Sequence, residues 1–220
     1  MVSIAKMVKE LIDGDLGFQD ALARNYANLS SIARLIKPSI EALSNSKVSL
    51  ASIISALKRL RKHYKVENLN VREVIANSKL SVITDVAKVC VERNKRTEEI
   101  VRRIVSEYRE EFLQITESLS FITIIFDQKI LEDIKENFRK NEILEMGKDL
   151  AAIIVQSPKD IIKTVGCALS FYSEVSRRYI NMEDTISCCT DTRIIVKMKA
   201  VSRAFLALAG LIARSRRLIW

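Results

Sequence analysis

Residues 150–156 have the sequence LAAIIVQ, and Ser157 and Pro158 follow them directly. A short apolar run of this kind is typical of a buried strand, and the proline ends it because proline cannot donate to a sheet ladder. Gly166 then opens a helix, and a polar turn at residues 190–192 joins two β-type runs as a hairpin. The predicted order is strand, helix, strand, strand, helix, over residues 150–156, 167–179, 181–189, 193–198 and 202–213.

An earlier part of the chain repeats this order of patterns. Thr97 is the predicted cap of its first helix, with Glu98 and Glu99 in the favourable first turn. This copy has the sequence ERNK at residues 92–95 where the later copy has its glycine turn, so the later copy is the better candidate for ligand binding. Its elements are predicted over residues 80–91, 97–108, 112–116, 121–126 and 129–138.

The spacing of the two copies indicates an internal duplication. Val82 and Ile153 are 71 positions apart, and Thr123 and Ile195 are 72 positions apart. A near-constant offset between matching patterns is what a duplicated α+β unit produces.

The βαββα order resembles that of the small-molecule-binding ACT domain. The family's Pro-Gly-Val type turn corresponds to residues 165–167, where Val165 replaces the proline, and its Ile-Asn-Ile type sequence at the second strand corresponds to Ile180-Asn181-Met182. The whole chain also resembles archaeal proteins in which a helical segment precedes an ACT-like region. The resemblance implies an α+β fold with a helix-turn-helix-like N-terminal module and two ferredoxin-like ACT-type βαββα repeats with antiparallel sheets.

Four segments follow from these patterns. Residues 1–66 are predicted to form a helical module and residues 67–77 a connector containing a short helix. Residues 78–142 are predicted to form a degenerate ACT-like repeat, and residues 143–220 an ACT-like domain.

The resemblance places a ligand site at the glycine turn. Backbone N–H groups at a helix N-terminus suit a carboxylate such as that of a free amino acid, and Gly166 lets the chain approach it closely. Alternatively, Gly166 serves only the turn geometry and Asn181 only the start of the strand. The expected ligand-binding residues are Thr164, Val165, Gly166, Cys167, Ala168, Asn181 and Met182.

The N-terminal module carries most of the positive charge. Residues 1–66 contain 11 Lys and Arg against 5 Asp and Glu, a net charge of +6 (11 − 5). The net charge of the whole chain is +9. A helix that Asn28 caps is predicted to end or bend at Pro38, and about 11 residues later Ser49 caps a second helix. One polar face of that helix predicts phosphate contacts with DNA, although a solvated helix face gives the same pattern. The expected DNA-binding residues are Ser52, Ser55, Lys58, Arg59, Arg61 and Lys62.

The last helix is apolar on nearly every side, which predicts burial on both sides by another repeat or another chain. The ACT resemblance implies a homodimer, formed through this helix or through ACT-like sheets. The longest apolar run is far shorter than the about 20 residues that a membrane span needs. Without a signal peptide pattern, and with cysteines that suit buried free thiols, the expected location is the cytoplasm.

No catalytic residue, metal site or cofactor is predicted from the sequence. His63 is the single histidine, and Cys90, Cys167, Cys188 and Cys189 lack metal-ligand spacing. The sequence therefore predicts a non-enzymatic regulatory protein that senses an amino acid and regulates transcription through its basic helices. Two alternatives stay open: an ACT-type partner of a metabolic enzyme without DNA binding, and an enzyme with an unrecognised site.

Overall fold

The computed structural model describes residues 3–64 and 69–217, which fall into two compact units. The first unit is helical. It contains α1 (Ile4–Asp13), α2 (Leu16–Ala23), α3 (Leu29–Ser44), α4 (Leu50–Leu60) and a 3-10 helix (Arg61–His63).

The helix caps of the first unit agree with the sequence. The side chains of Asn28 and Ser49 accept hydrogen bonds from the first turns of α3 and α4. However, α3 does not end at Pro38, because the helix continues to Ser44. The connection between α3 and α4 is therefore residues 45–49, shorter than the expected 11 residues or so.

The second unit contains five helices and six strands among its described residues. The helices are α5 (Leu69–Ala76), α6 (Lys95–Glu107), α7 (Leu131–Glu136), α8 (Cys167–Ser176) and α9 (Val201–Arg217). The strands are β1 (Lys79–Glu92), β2 (Leu113–Glu117), β3 (Phe121–Asp127), β4 (Ile143–Gln156), β5 (Asp184–Cys188) and β6 (Asp191–Lys197).

The strands form one antiparallel sheet in the order β2-β3-β1-β4-β6-β5, not two separate sheets as expected. The central strands β1 and β4 are each 14 residues long and pair with each other along their length. Only residues 86–92 of β1 pair with β3, and only residues 150–156 of β4 pair with β6.

Each long strand therefore serves both repeats. The first half of β4 lies beside the second half of β1 and completes the four-stranded set of repeat 1. The first half of β1 lies beside the second half of β4 and completes repeat 2. Val82 and Ile153, which the sequence offset matched as equivalent residues, are in fact cross-strand partners.

A bend lies at the middle of each long strand. Asp85 and Asp149, each the seventh residue of its strand, have a left-handed φ of 56°. The pairing register shifts around Asp85 and around its neighbour Val86 opposite Leu150. An extra residue of this kind is a β-bulge, which bends the strand. The side chains that face the helices therefore lie on the same face of the sheet in both halves of the strand.

Three apolar clusters stabilise this unit. One packs α6 and α7 on repeat 1, and a second packs α5, α8 and α9 on repeat 2, so the helix expected in the connector belongs to the core of repeat 2. The sheet curls, and a third cluster lies on its helix-free face. There Arg193 of β6 donates to the side chain of Gln114 on β2. The third cluster contains Val86, Ile125, Leu150, Ala152 and Ile195.

Three local predictions were wrong. Asn94, not Thr97, is the N-cap of α6, and Thr97 closes the capping box from inside the helix. The hairpin turn comprises residues 189–190, so Cys189 lies in the turn. Cys188 is the last residue of β5, and both cysteines are exposed, not buried. The last helix, α9, is not buried all round, since Leu206 is 69% exposed.

Candidate ligand-binding site

The predicted glycine turn exists and stands directly before α8. Gly166 has a φ of 95°, a left-handed conformation that favours glycine, and it has no side chain with which to cap the helix. Its carbonyl oxygen accepts from the backbone N–H of Ser170 at 3.0 Å and from Ser170 Oγ at 2.8 Å. The first N–H groups of α8 are therefore presented without a cap from Gly166.

A cavity of about 580 Å³ lies beside this turn, between α5 and the 3-10 helix Lys159–Lys163. Thr164 lines it two residues before Gly166. Val71 of α5 lies close enough to Gly166 that a Cβ there would come within 3.9 Å of Val71 Cγ2. The lining residues are Asn70, Glu73, Val74, Asn77, Pro158, Asp160, Lys163 and Thr164.

Both signs of charge line the cavity. Glu73, Asp160 and Lys163 are exposed, and none of the three forms an ion pair with another residue within 3–64 or 69–217. Thr164 Oγ1 donates to the carbonyl oxygen of Asp160 at 2.7 Å, so this hydroxyl is already used within the wall. A ligand with a carboxylate and an ammonium group would find complementary partners here.

Helix α5 is held in place at its C-terminal end. Ser78 Oγ donates to the carbonyl oxygen of Val74 at 2.8 Å and lies 2.9 Å from Ser157 Oγ. Arg216 of α9 donates to the carbonyl oxygen of Ala76 at 2.7 Å. One wall of the cavity is thus fixed to the end of β4 and to α9.

Several expected ligand-binding residues lie elsewhere. Cys167 is buried in the core of repeat 2, and burial raises the pKa of its thiol, so it is a packing residue. Val165 is 91% exposed. The amide of Asn181 donates to Glu183 Oε1 at 3.1 Å, and Met182 packs against the core. Among the residues that line the cavity, Thr164 alone comes from the predicted set.

Asn70, Glu73 and Asn77 were not predicted as ligand-binding residues. They stand on α5, which was predicted as part of a connector. The available signal was the apolar spacing of Val71 and Val74, which indicates a helix packed on a core.

The predicted DNA-binding residues share one surface of α4 and the following 3-10 helix. All are exposed except Arg61, which is half-buried, while Ile53 and Leu57 face the core. The hydroxyl of Ser52 lies 2.8 Å from Ser49 Oγ at the helix cap. In the described part of the chain, no salt bridge neutralises Lys58, Arg59, Arg61 or Lys62.

Across residues 3–64 and 69–217, no cluster of three potential metal ligands occurs. Nor does any helix in this part of the chain have the length and hydropathy that crossing a membrane requires.

No family model and no curated protein sequence matches the chain. Solved structures do match. The regulatory subunit of aspartate kinase from Thermus flavus superposes with a TM-score of 0.51 at 10% identity, over 60% of this chain and 95% of that one. Aspartate kinase from Synechocystis gives a TM-score of 0.52 at 14% identity, over 63% of this chain and 27% of that one. Over the matched 60% of this chain, the fold is similar to that of the aspartate-kinase regulatory subunit.

The ACT-type resemblance is therefore confirmed at the level of the fold. The aspartate kinase of Clostridium acetobutylicum gives a TM-score of 0.50 at 13% identity, over 60% of this chain. The match spans about a third of that enzyme's length, 34%. The archaeal resemblance and the helix-turn-helix assignment stay predictions.

Proposed function

We propose that the chain is a non-catalytic, cytoplasmic regulatory protein whose second ACT repeat binds a free amino acid beside the Gly166 turn. The single observation that carries this proposal is the cavity between α5 and the 3-10 helix Lys159–Lys163, which lies beside the uncapped start of α8. The fold of the chain is similar to that of regulatory subunits of aspartate kinase, one of which was solved in a ligand-free form.

The chemistry of the cavity fits a zwitterion. Lys163 and the N–H groups at the start of α8 attract a carboxylate, and Glu73 and Asp160 attract an ammonium group. In this proposal Gly166, Cys167 and Ala168 contribute backbone N–H groups, not side chains. Asn181 and Met182 contribute only if the start of β5 approaches the ligand from another subunit.

The test is a thermal-shift screen of the full chain against the twenty amino acids. We expect at least one of them to raise the melting temperature, because a ligand that binds only the folded state stabilises it by mass action. Lys163→Ala should abolish this shift. Lys159→Ala is the matched control, since Lys159 is exposed on the same 3-10 helix and does not line the cavity.

Two outcomes would contradict the proposal. One is the absence of any shift with all twenty amino acids. The other is a shift that Lys159→Ala and Lys163→Ala reduce equally, because that would indicate a general charge effect and not a site.

We propose as a second function that the basic surface of α4 binds DNA. The supporting observation is the exposed set Lys58, Arg59 and Lys62, which lacks acidic partners among the described residues. A surface of this kind neutralises DNA phosphates and releases counterions, so its affinity falls steeply with salt.

Triple replacement of Lys58, Arg59 and Lys62 by alanine should reduce the slope of log affinity against log salt by about 3. Replacement of Lys6, Lys9 and Arg34, which are exposed on α1 and α3, is the matched control. If the DNA affinity of the unmodified protein did not change with salt, DNA binding through α4 would be contradicted. The remaining alternative would be an ACT-type partner of a metabolic enzyme without DNA binding.

A homodimer through α9 is the third part of the proposal. Leu206 is 69% exposed beside a groove of about 380 Å³ lined by Val82, Val201, Ser202 and Phe205. Leu206→Glu should then shift the mass in light scattering toward the monomer. Leu169→Glu, at a position 51% exposed on α8, should leave the mass unchanged. If light scattering shows that the unmodified protein is a monomer, the proposed homodimer is contradicted.

A further inference from the structure

A second cavity, of about 410 Å³, lies at the end of β6. Because β6 pairs only with residues 150–156 of β4, it does not cover the first half of β4. This cavity is separate from the amino-acid cavity, and the two share no lining residue. Its wall carries three lysines and a single acid. The lining residues are Met146, Gly147, Lys148, Asp149, Lys197, Met198 and Lys199.

The equivalent place in repeat 1 is neutralised by its own side chains. Asp127 ends β3 and is followed by the 3-10 helix Gln128–Ile130, and Lys197 ends β6 and is followed by the 3-10 helix Met198–Ala200. The carboxylate of Asp127 accepts from the backbone N–H of Lys129 at 3.0 Å. The ammonium group of Lys129 lies 2.6 Å from Glu111 Oε2 and 3.6 Å from Asp127 Oδ2.

Repeat 2 reverses this arrangement. Lys197 replaces the aspartate, so no side chain at that position caps the following 3-10 helix. Lys197 has a salt bridge of 3.7 Å to Glu183, whereas Lys148 and Lys199 have none with any residue of the described segments. The wall therefore has an excess of positive charge that the chain itself does not neutralise.

Asp149, the acid in the wall, is hydrogen-bonded to Gln128 of repeat 1. The side-chain amide of Gln128 donates to Asp149 Oδ1 at 3.4 Å, and Gln128 Oε1 accepts from the backbone N–H of Asp149 at 2.6 Å. Gln128 thus holds Asp149 from repeat 1, although its neutral amide leaves the negative charge of the carboxylate in place.

We propose that this cavity binds the dianionic phosphate group of a phosphate monoester. Lysine ammonium groups act as point charges for phosphate oxygens, and two of the three in this wall, Lys148 and Lys199, have no ion-pair partner in the described segments.

Calorimetric titration of the full chain with inorganic phosphate, at constant ionic strength, tests this proposal. We expect saturable binding with one phosphate per chain. Lys197→Asp, which restores the arrangement of repeat 1, should weaken binding at least tenfold, and Lys197→Arg should retain it. Lys199→Ala should weaken binding as well, and circular dichroism of each variant establishes that it is folded.

Lys129→Ala is the matched control, because Lys129 stands at the equivalent position of repeat 1, and it should bind phosphate as the unmodified protein does. Parallel titrations with ADP and with phenyl phosphate distinguish a nucleotide from a smaller monoester. No saturable binding of inorganic phosphate, or equal losses in Lys129→Ala and Lys199→Ala, would overturn the proposal.

Discussion

The two repeats share a fold and differ in how they satisfy their own polar groups. In repeat 1 the side chain of Asn94 accepts from Thr97 N–H at 3.0 Å, and Thr97 Oγ1 accepts from Asn94 N–H at 2.9 Å. In repeat 2 the equivalent helix starts at Gly166, which offers no cap. Where repeat 1 has the capping carboxylate of Asp127, repeat 2 has Lys197.

This difference is the basis for the proposal that repeat 2 binds ligands and repeat 1 does not. Polar groups that bond within the chain stabilise repeat 1, and at the same positions of repeat 2 we propose that a ligand supplies the bonding partners. Repeat 1 still matters for the site, because β1 and β4 run through both repeats and fix their relative position.

The substitutions with the greatest predicted loss of stability test whether the two repeats unfold together. Phe126 of repeat 1 and Phe171 of repeat 2 are both fully buried. Phe126→Ala or Phe171→Ala should each lower the free energy of unfolding by about 3–5 kcal/mol. Hydrogen exchange across a denaturant series should show both repeats losing protection at one concentration in either variant. Separate loss in the mutated repeat alone would mean that the shared strands do not couple them.

A smaller effect tests the cap itself. Asn94→Ala should lower the free energy of unfolding by about 1 kcal/mol, because it leaves N–H groups at the start of α6 without their acceptor. Chemical denaturation measures the loss. Ser106→Ala, at an exposed position near the end of α6, is the control. An unchanged stability of Asn94→Ala would contradict the contrast between the two helix starts.

The smallest effect depends on pH. The backbone N–H of Arg139 and the guanidinium of Arg96 lower the pKa of Glu142 below its ordinary value. A carboxyl whose folded pKa is lowered contributes stability above its unfolded pKa and loses it as the pH falls through the folded pKa.

Glu142→Gln should therefore be less stable than the unmodified protein at neutral pH, and the difference should shrink below about pH 4. Melting temperatures across this range measure it, with Glu136→Gln, at an exposed position of α7, as the control. A pH-independent difference would show that packing and not charge explains the effect of Glu142→Gln.

The sequence predicted the βαββα order because local periodicity and the Gly166 turn record it directly. It did not reveal that β4 begins at Ile143, since the sequence ILEMGKD interrupts the apolar pattern and the extra residue at Asp149 shifts the alternation. Pairing between β1 and β4 is a long-range contact that no local pattern records. Similarly, α5 is eight residues long, so only its packing shows that it forms a wall of the ligand cavity.

The most direct test of the central claim is hydrogen exchange of the full chain with and without a saturating mixture of the twenty amino acids. We predict slower exchange over residues 69–77 and 159–170, which contain most of the lining of the cavity and the start of α8, and no change over residues 92–98 at the capped turn of repeat 1. Unchanged exchange in both regions, or slowing at residues 92–98 alone, would contradict it.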